Sequence, residues 1–295
     1  MIIDHPEEGD FKKWISYSLS NAVNKKEKEK VWYNIQYKDV ICLKELDYLI
    51  SELIKEDNKL SNIKIPTSLE EKKELYRALR NIRNAKPISK EYLDAQDKYL
   101  QNEIKEKGIT DEKDIPFNKS IISIWQGDIT TLKCDVIVNA CNKYLLGCFV
   151  PGHKCIDNAI HSFAGIQLRE ECNDIMKGKT LPNGEVVLTK GYNLPSKYVI
   201  QTVGPQVSGI PTEQDKTDLK KCYYNSLELC KEKGLKTISF PCISTGLYGF
   251  PQDEASKIAI NIIEEYLKDN KDVFEHIIFN VFKDEDLEIY NRNLK

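Results

Sequence analysis

Cys148, His153 and Cys155 fall within eight residues of one another in Gly147-Cys-Phe-Val-Pro-Gly-His-Lys-Cys155, where Gly147, Pro151 and Gly152 mark a loop. Thiolate and imidazole are the donors zinc prefers, and a site with only three protein ligands leaves a fourth position for water or substrate. A reactive metal is therefore one reading of the loop. The plainer reading makes the two cysteines small core residues and the histidine a surface residue. Neighbouring residues have to decide between them.

Four further places carry polar groups that chemistry can use. In Gly127-Asp128-Ile129-Thr130, Asp128 can accept from a ligand amine or simply cap a turn; taken alone, the turn reading is the better one. Val136-Ile-Val-Asn-Ala-Cys-Asn142 ends an apolar run with two amides, and Asn142 can both donate and accept at a sugar hydroxyl. Ser244-Thr-Gly-Leu-Tyr-Gly-Phe-Pro251 is a glycine-containing turn whose backbone amides can approach a phosphate without any lysine. Finally, a helix is expected to begin near Cys155, which turns the amides of Ile156, Asp157 and Asn158 outward.

The elements that hold these places are read from periodicity. From residue 119 short β-branched runs alternate with helical stretches, the pattern of an α/β layer architecture. Strands are expected at Ser120 to Trp125, Val136 to Asn139, Glu185 to Lys190, Tyr198 to Val203, Thr237 to Phe240 and His276 to Val281. Helices are expected at Cys155 to Met176, Thr217 to Lys233, Asp253 to Lys268 and Glu285 to Asn291. Each chemically interesting place then lies where a strand passes into a loop, which is where open α/β sheets bind ligands. Only Gly9 and Gly108 of the 14 glycines precede residue 119, so residues 1–118 read as a helical N-terminal extension. Its helices are expected at Asp10 to Ser20, Val31 to Ile54, Leu69 to Arg83 and Lys90 to Lys107, with Ser68 as a cap in Ser68-Leu-Glu-Glu71. Lys- and Glu-rich runs such as Lys25 to Lys30 read as solvated faces. The aromatic pairs Trp32 with Tyr33 and Tyr92 with Tyr99 read as packing residues.

Composition narrows the class. Forty-three Lys and Arg against 46 Asp and Glu give a net charge of −3, so no basic field invites nucleic acid. No run approaches the roughly 20 apolar residues of a membrane span. The start, Met-Ile-Ile-Asp-His-Pro-Glu-Glu, lacks a basic region followed by an apolar one, so a cytoplasmic location is expected. The nine cysteines at irregular spacing then read as thiols and ligands rather than a disulfide frame.

Taken in order, Gly127-Asp-Ile-Thr130, Asp135-Val-Ile-Val-Asn-Ala-Cys-Asn142 and Ile243-Ser-Thr-Gly-Leu-Tyr-Gly-Phe-Pro251 resemble a macrodomain, the ADP-ribose-binding α/β/α module. Ala164-Gly165, Tyr192-Asn-Leu-Pro195 and Gln201-Thr-Val-Gly-Pro205 fall in the matching intervals, and the likeness covers residues 119 to about 283. The Gly147 to His161 insert is similar to the zinc-dependent branch found in microbes, some members of which stand beside sirtuin-type ADP-ribosyltransferases. The resemblance implies a three-layer α/β/α fold with a mixed central sheet over residues 119–295, after the helical extension 1–118. It implies that Asp128 meets the adenine amino group with Ile129 beside it, and that Asn142 faces the distal ribose. Ser244, Thr245, Gly246, Leu247 and Tyr248 then wrap the diphosphate, with Ile156, Asp157 and Asn158 as the opposite wall. Cys148, His153 and Cys155 correspond to ligands of one Zn2+. Where the family pattern reads Asn-Ala-Ala-Asn, this chain has Cys141, a thiol about as small as the methyl it replaces.

The implied activity is hydrolysis of mono-ADP-ribose from modified protein side chains, an Asp or Glu ester in the first instance, by a monomer that binds neither membrane nor nucleic acid. Asn142 and Asp157 are the candidate catalytic residues, with Asp157 orienting a water unless a substrate phosphate does so. His161, one helical turn after Asp157, is either its contact or a buried support. Two alternatives stay open: a reader that binds ADP-ribose without cleaving it, and a deacetylase or phosphatase of small ADP-ribose derivatives. A reader has no need of an open metal site.

Overall fold

The computed structural model describes residues 42–295. The helix expected at Asp10 to Ser20, the start of the one at Val31 to Ile54, the Lys25 to Lys30 run and the Trp32 and Tyr33 pair lie outside the described residues. Contacts divide the chain after Tyr76 into two compact units. In the first, α1 is described over 42–55 and buries Leu46, Leu49, Ile50 and Leu53. Helix α2, Leu69–Ile82, crosses the division. Ser68 Oγ accepts from the Glu71 amide at 3.4 Å and donates to its carboxylate at 2.6 Å, the expected cap.

The second unit begins within α2. Helix α3, Lys90–Lys107, starts at a Ser89 cap and buries Tyr92, Gln96, Tyr99, Leu100 and Ile104, so both tyrosines are packing residues, as expected. Strands β1 (Thr110–Asp111) and β3 (Leu132–Lys133) form a two-stranded parallel pair. Among the described residues the main sheet has six strands: β2 (Ile122–Gln126), β4 (Val136–Ala140), β5 (Val186–Lys190), β6 (Tyr198–Thr202), β7 (Thr237–Phe240) and β8 (His276–Val281). Their spatial order is β2-β8-β7-β4-β6-β5, parallel except for β5, which runs antiparallel to β6 along one edge.

Alternation within the strands builds two cores. Val136, Val138, Ile277 and Phe279 join the core that also holds residues of α6 (Glu213–Lys233) and α7 (Gln252–Asp269), with Tyr290 from α8 (Asp284–Asn293). Ile137 and Ile278 join the other core, with Ile160, Leu168 and Cys172 from α4 (Ile156–Ala164) and α5 (Ile166–Met176). The result is helices on both faces of a mixed sheet. One expected element is corrected: the helix at Cys155 to Met176 is two helices, broken at Gly165, whose φ of 102° and ψ of 173° end the helical path. The Gln96 side-chain oxygen takes the Ile166 amide at 3.2 Å there, so a tertiary contact from α3 holds the break open.

Candidate functional site

Because β2, β4, β6, β7 and β8 run parallel, their carboxyl ends lie along one side of the sheet. Asp128 follows β2. Its Oδ1 accepts from the Thr130 amide at 3.0 Å and the Thr130 hydroxyl at 2.6 Å, capping the turn Ile129–Thr131. Its Oδ2 meets Lys107 Nζ at 2.6 Å. Burial would raise the Asp128 carboxyl, but the Lys107 and Thr130 bonds together outweigh it and hold the group below its ordinary value. Lys107 also lies 3.5 Å over the Phe163 ring.

Asn139 and Asn142 flank the exit from β4. Asn139 is fully buried, and its Nδ2 donates to Asp157 Oδ1 at 2.8 Å and Gln201 Oε1 at 2.9 Å. Asn142 Nδ2 donates to the Gly147 carbonyl at 3.0 Å and to Asp157 Oδ2 at 3.4 Å, while its Oδ1 accepts from the Tyr144 amide at 3.0 Å. The two amides thus hold both carboxylate oxygens of Asp157. Burial pushes that carboxyl up to about 6, against the opposing pull of Asn139 and Arg169. Cys141 between them is buried and its thiol donates to the Thr202 carbonyl at 3.2 Å, so packing tolerates the thiol.

His161 is buried beside this pair, with Nε2 3.6 Å from Asp157 Oδ1, too long for a hydrogen bond. Neither ring nitrogen has a hydrogen-bond partner among the described residues. Burial, helped by Arg169, lowers its pKa to about 3 and keeps the ring neutral. His161 is thus both in contact with Asp157 and a buried support beside it, with no hydrogen bond between the two.

The Cys148 thiol, a His153 ring nitrogen and the Cys155 thiol all lie within 4.8 Å of one another, with Cys148 Sγ 3.3 Å from His153 Nδ1. Cys155 caps α4, its Sγ accepting from the Asn158 amide at 3.4 Å. Burial, with Cys148 close by, raises the Cys155 thiol to about 11. Of the expected wall Ile156, Asp157 and Asn158, only Ile156 keeps a partly exposed side chain. The Asn158 side chain is fully buried, accepting from Arg77 and donating to the Val150 carbonyl at 3.2 Å.

The loop Ser244 to Tyr248 follows β7. Ser244 takes a φ of 65°, and its carbonyl receives the Phe250 amide at 3.0 Å; Tyr248's carbonyl receives the Val207 amide at 2.7 Å. A Cβ on Gly204 would fall 2.1 Å from Ser244 Oγ, so glycine there is what lets the loop close against the end of β6. Thr245 Oγ1 donates back to the Cys242 carbonyl at 3.0 Å, which leaves Gly246 and Leu247 at the apex, the latter 78% exposed. Burial raises the Tyr248 hydroxyl pKa above its ordinary value, and the nearby Cys141 and Asp157 act in the same direction.

The Macro domain family profile matches residues 138–259. A protein-ADP-ribose hydrolase of Staphylococcus aureus is 46% identical over 249 residues, 83% of this chain and 93% of that protein. The chain belongs to the macrodomain family. A protein-ADP-ribose hydrolase of Treponema medium is 43% identical to this macrodomain protein over 254 residues, 83% of its chain and 96% of the relative. Among solved structures, a mutant of the Oceanobacillus iheyensis macrodomain with ADPR is 42% identical at a TM-score of 0.55, covering 61% of this chain and 94% of that one. A Trypanosoma brucei macrodomain in complex with ADP-ribose is 28% identical at a TM-score of 0.58, covering 74% and 95%.

Several residues that shape the macrodomain site carry no sequence motif. Arg77, Asn81 and Lys107 come from the segment read as a helical extension, and Arg169 from α5. The sole local signal is that Arg77 and Asn81 stand four residues apart, on one face of α2.

Proposed function

We propose that this chain hydrolyses the bond joining the distal ribose C1 of ADP-ribose to a protein side chain, an Asp or Glu ester, and so reverses mono-ADP-ribosylation. The observation that carries the reading is the placing of the Cys148, His153 and Cys155 donors against the Asn142 and Asp157 pair. Asn142 bonds the carbonyl next to Cys148, and Asp157 stands two residues beyond Cys155. The relatives named protein-ADP-ribose hydrolase support the reaction class.

The donor set fits zinc. A tetrahedral centre with ordinary Zn–S and Zn–N bonds spaces its ligand atoms about 3.5–3.8 Å apart, and the three atoms here lie within 4.8 Å of one another. Cys148, His153 and Cys155 would hold the ion, which would supply an electrophile of moderate strength, since two thiolates would cancel its charge, for a ribose hydroxyl and a water. The remaining work falls to the chain. Asp128 and Ile129 take the adenine end, and Ser244, Thr245, Gly246, Leu247 and Tyr248 face the start of α4 at Ile156 and Asp157 across the diphosphate, with Asn158 buried behind that wall. Asn142 holds the distal ribose. Asp157, locked by Asn139 and Asn142, orients the attacking water and excludes other positions for it. A sirtuin-type ADP-ribosyltransferase that installs the modification is the expected counterpart.

The test incubates the purified protein with Asp/Glu-linked, Ser-linked and Arg-linked mono-ADP-ribosylated proteins and follows free ADP-ribose. Release from the Asp/Glu-linked substrate alone is expected. Tight ADP-ribose binding with no linkage cleaved would make the chain a reader instead, and cleavage confined to acetylated or phosphorylated ADP-ribose would make it an enzyme of small derivatives.

A further inference from the structure

The metal reading leaves a mechanical problem. Cys148 and His153 stand on a stretch without regular structure, which turns through left-handed backbone at Gly147 (φ 78°) and Gly152 (φ 66°). Such a loop loses much conformational freedom when its donors are fixed, and that loss weakens metal binding unless the fold has already imposed it. Side chains outside the loop impose it here. Asn81 Oδ1 accepts from the Gly152 amide at 3.0 Å, while its Nδ2 donates to Ser162 Oγ of α4 at 3.1 Å. Arg77 donates from Nε and Nη2 to Asn158 Oδ1 at 3.2 and 2.8 Å, and from Nη2 to the His153 carbonyl at 3.5 Å. Asn158 passes the restraint on to the Val150 carbonyl.

From the opposite side, Arg169 donates from Nε to the Leu146 carbonyl at 2.7 Å and lays its guanidinium 4.5 Å from the Phe149 ring centre. Its Nη1 bonds the carbonyls of Arg80 and Arg83 at the end of α2, which ties the two grips together. Restraints therefore fall at residues 146, 149, 150, 152 and 153, so Cys148 and His153 each have one within two residues. Residues 77 and 81 lie outside the Macro domain match at 138–259, so the clamp belongs to the segment that precedes it.

Resting on the zinc reading above, we infer that Arg77 and Asn81 are positioning residues that hold the Cys148 to Cys155 loop in the shape in which its donors converge. Partners of this kind are worth about 10–100-fold in metal affinity.

The test titrates Co2+ into the metal-free full-length protein and its Arg77→Ala, Asn81→Ala and Arg77→Lys variants. It follows the thiolate-to-cobalt charge-transfer band and the visible bands that report coordination geometry; circular dichroism checks that each variant is folded. Both alanine variants are expected to bind Co2+ about 10–100-fold more weakly, with altered visible bands at saturation. Arg77→Lys keeps the cation but loses the fork, and lies between them and wild type. Wild-type affinity and spectra in both alanine variants would overturn the clamp while the zinc reading stands. Absence of a thiolate-to-cobalt band in the wild-type protein would remove the zinc reading, and the clamp with it. Should an alanine variant fail to fold, Arg77→Lys decides, and a wild-type affinity and spectrum there overturns the inference.

Discussion

Asp157→Asn separates what the site costs from what it does. The carboxyl is buried, and its pKa stands near 6 in the folded chain against an ordinary 3.8. Between those values the folded protein holds a proton that the unfolded chain has released, so stability falls as pH rises through the window, and the full cost stands above pH 6. The gap corresponds to about 3 kcal/mol. An asparagine removes the charge and keeps an oxygen for Asn139 Nδ2, but it turns an NH2 group toward Asn142 Nδ2, a loss of about 1 kcal/mol. The variant is therefore expected to be more stable by about 2 kcal/mol, a rise in Tm of about 4–8 °C for a unit of this size. Calorimetry on chelated protein at pH 8 and pH 4 reads it, because at pH 4 the wild-type carboxyl is already protonated and the gain vanishes. Turnover of the zinc-loaded variant is expected to be lost at pH 8. A variant that melts below wild type at pH 8, or that differs by the same amount at both pH values, would refute the assignment of Asp157 as a strained, buried anion.

Cys148→Ala and His153→Ala are each expected to lose retained zinc, read by metal analysis after gel filtration, together with turnover; full activity with zinc shown to be absent would end the metal mechanism. Gly204→Ala drives a methyl to 2.1 Å from Ser244 Oγ, and the displaced Ser244 to Tyr248 loop should weaken ADP-ribose binding about tenfold or more in calorimetric titration, with little change in zinc content. A chain beginning at Lys119 loses α3, whose Tyr92, Leu100 and Ile104 are buried and whose Gln96 binds the Ile166 amide, so it should aggregate on expression; normal solubility and activity would show α3 to be an appendage.

Strands β7 and β8 could be placed to the residue from sequence because both are short, buried runs rich in Ile, Phe and other β-formers, four and six residues long, too short for a buried helix. The break at Gly165 could not, since the group that captures the Ile166 amide is Gln96, 70 residues away. The same reason hid the clamp. Arg77 and Asn81 look like solvated helix residues, and nothing nearby in sequence reveals that Asn158, His153 and Gly152 wait across the fold. The three sulfur and nitrogen donors were visible because they are close in sequence as well as in space, and Asp128 because its turn is local. Lys107, which shares Asp128 with that turn, sits at the end of a different element and left no signal.

The most direct measurement is hydrolysis of an Asp/Glu-linked mono-ADP-ribosylated protein by the chelated, metal-free enzyme, followed by return of one equivalent of Zn2+ per chain. Loss of ADP-ribose release on chelation and its recovery on zinc addition are the expected results. Undiminished release by protein shown to contain no metal would contradict the account.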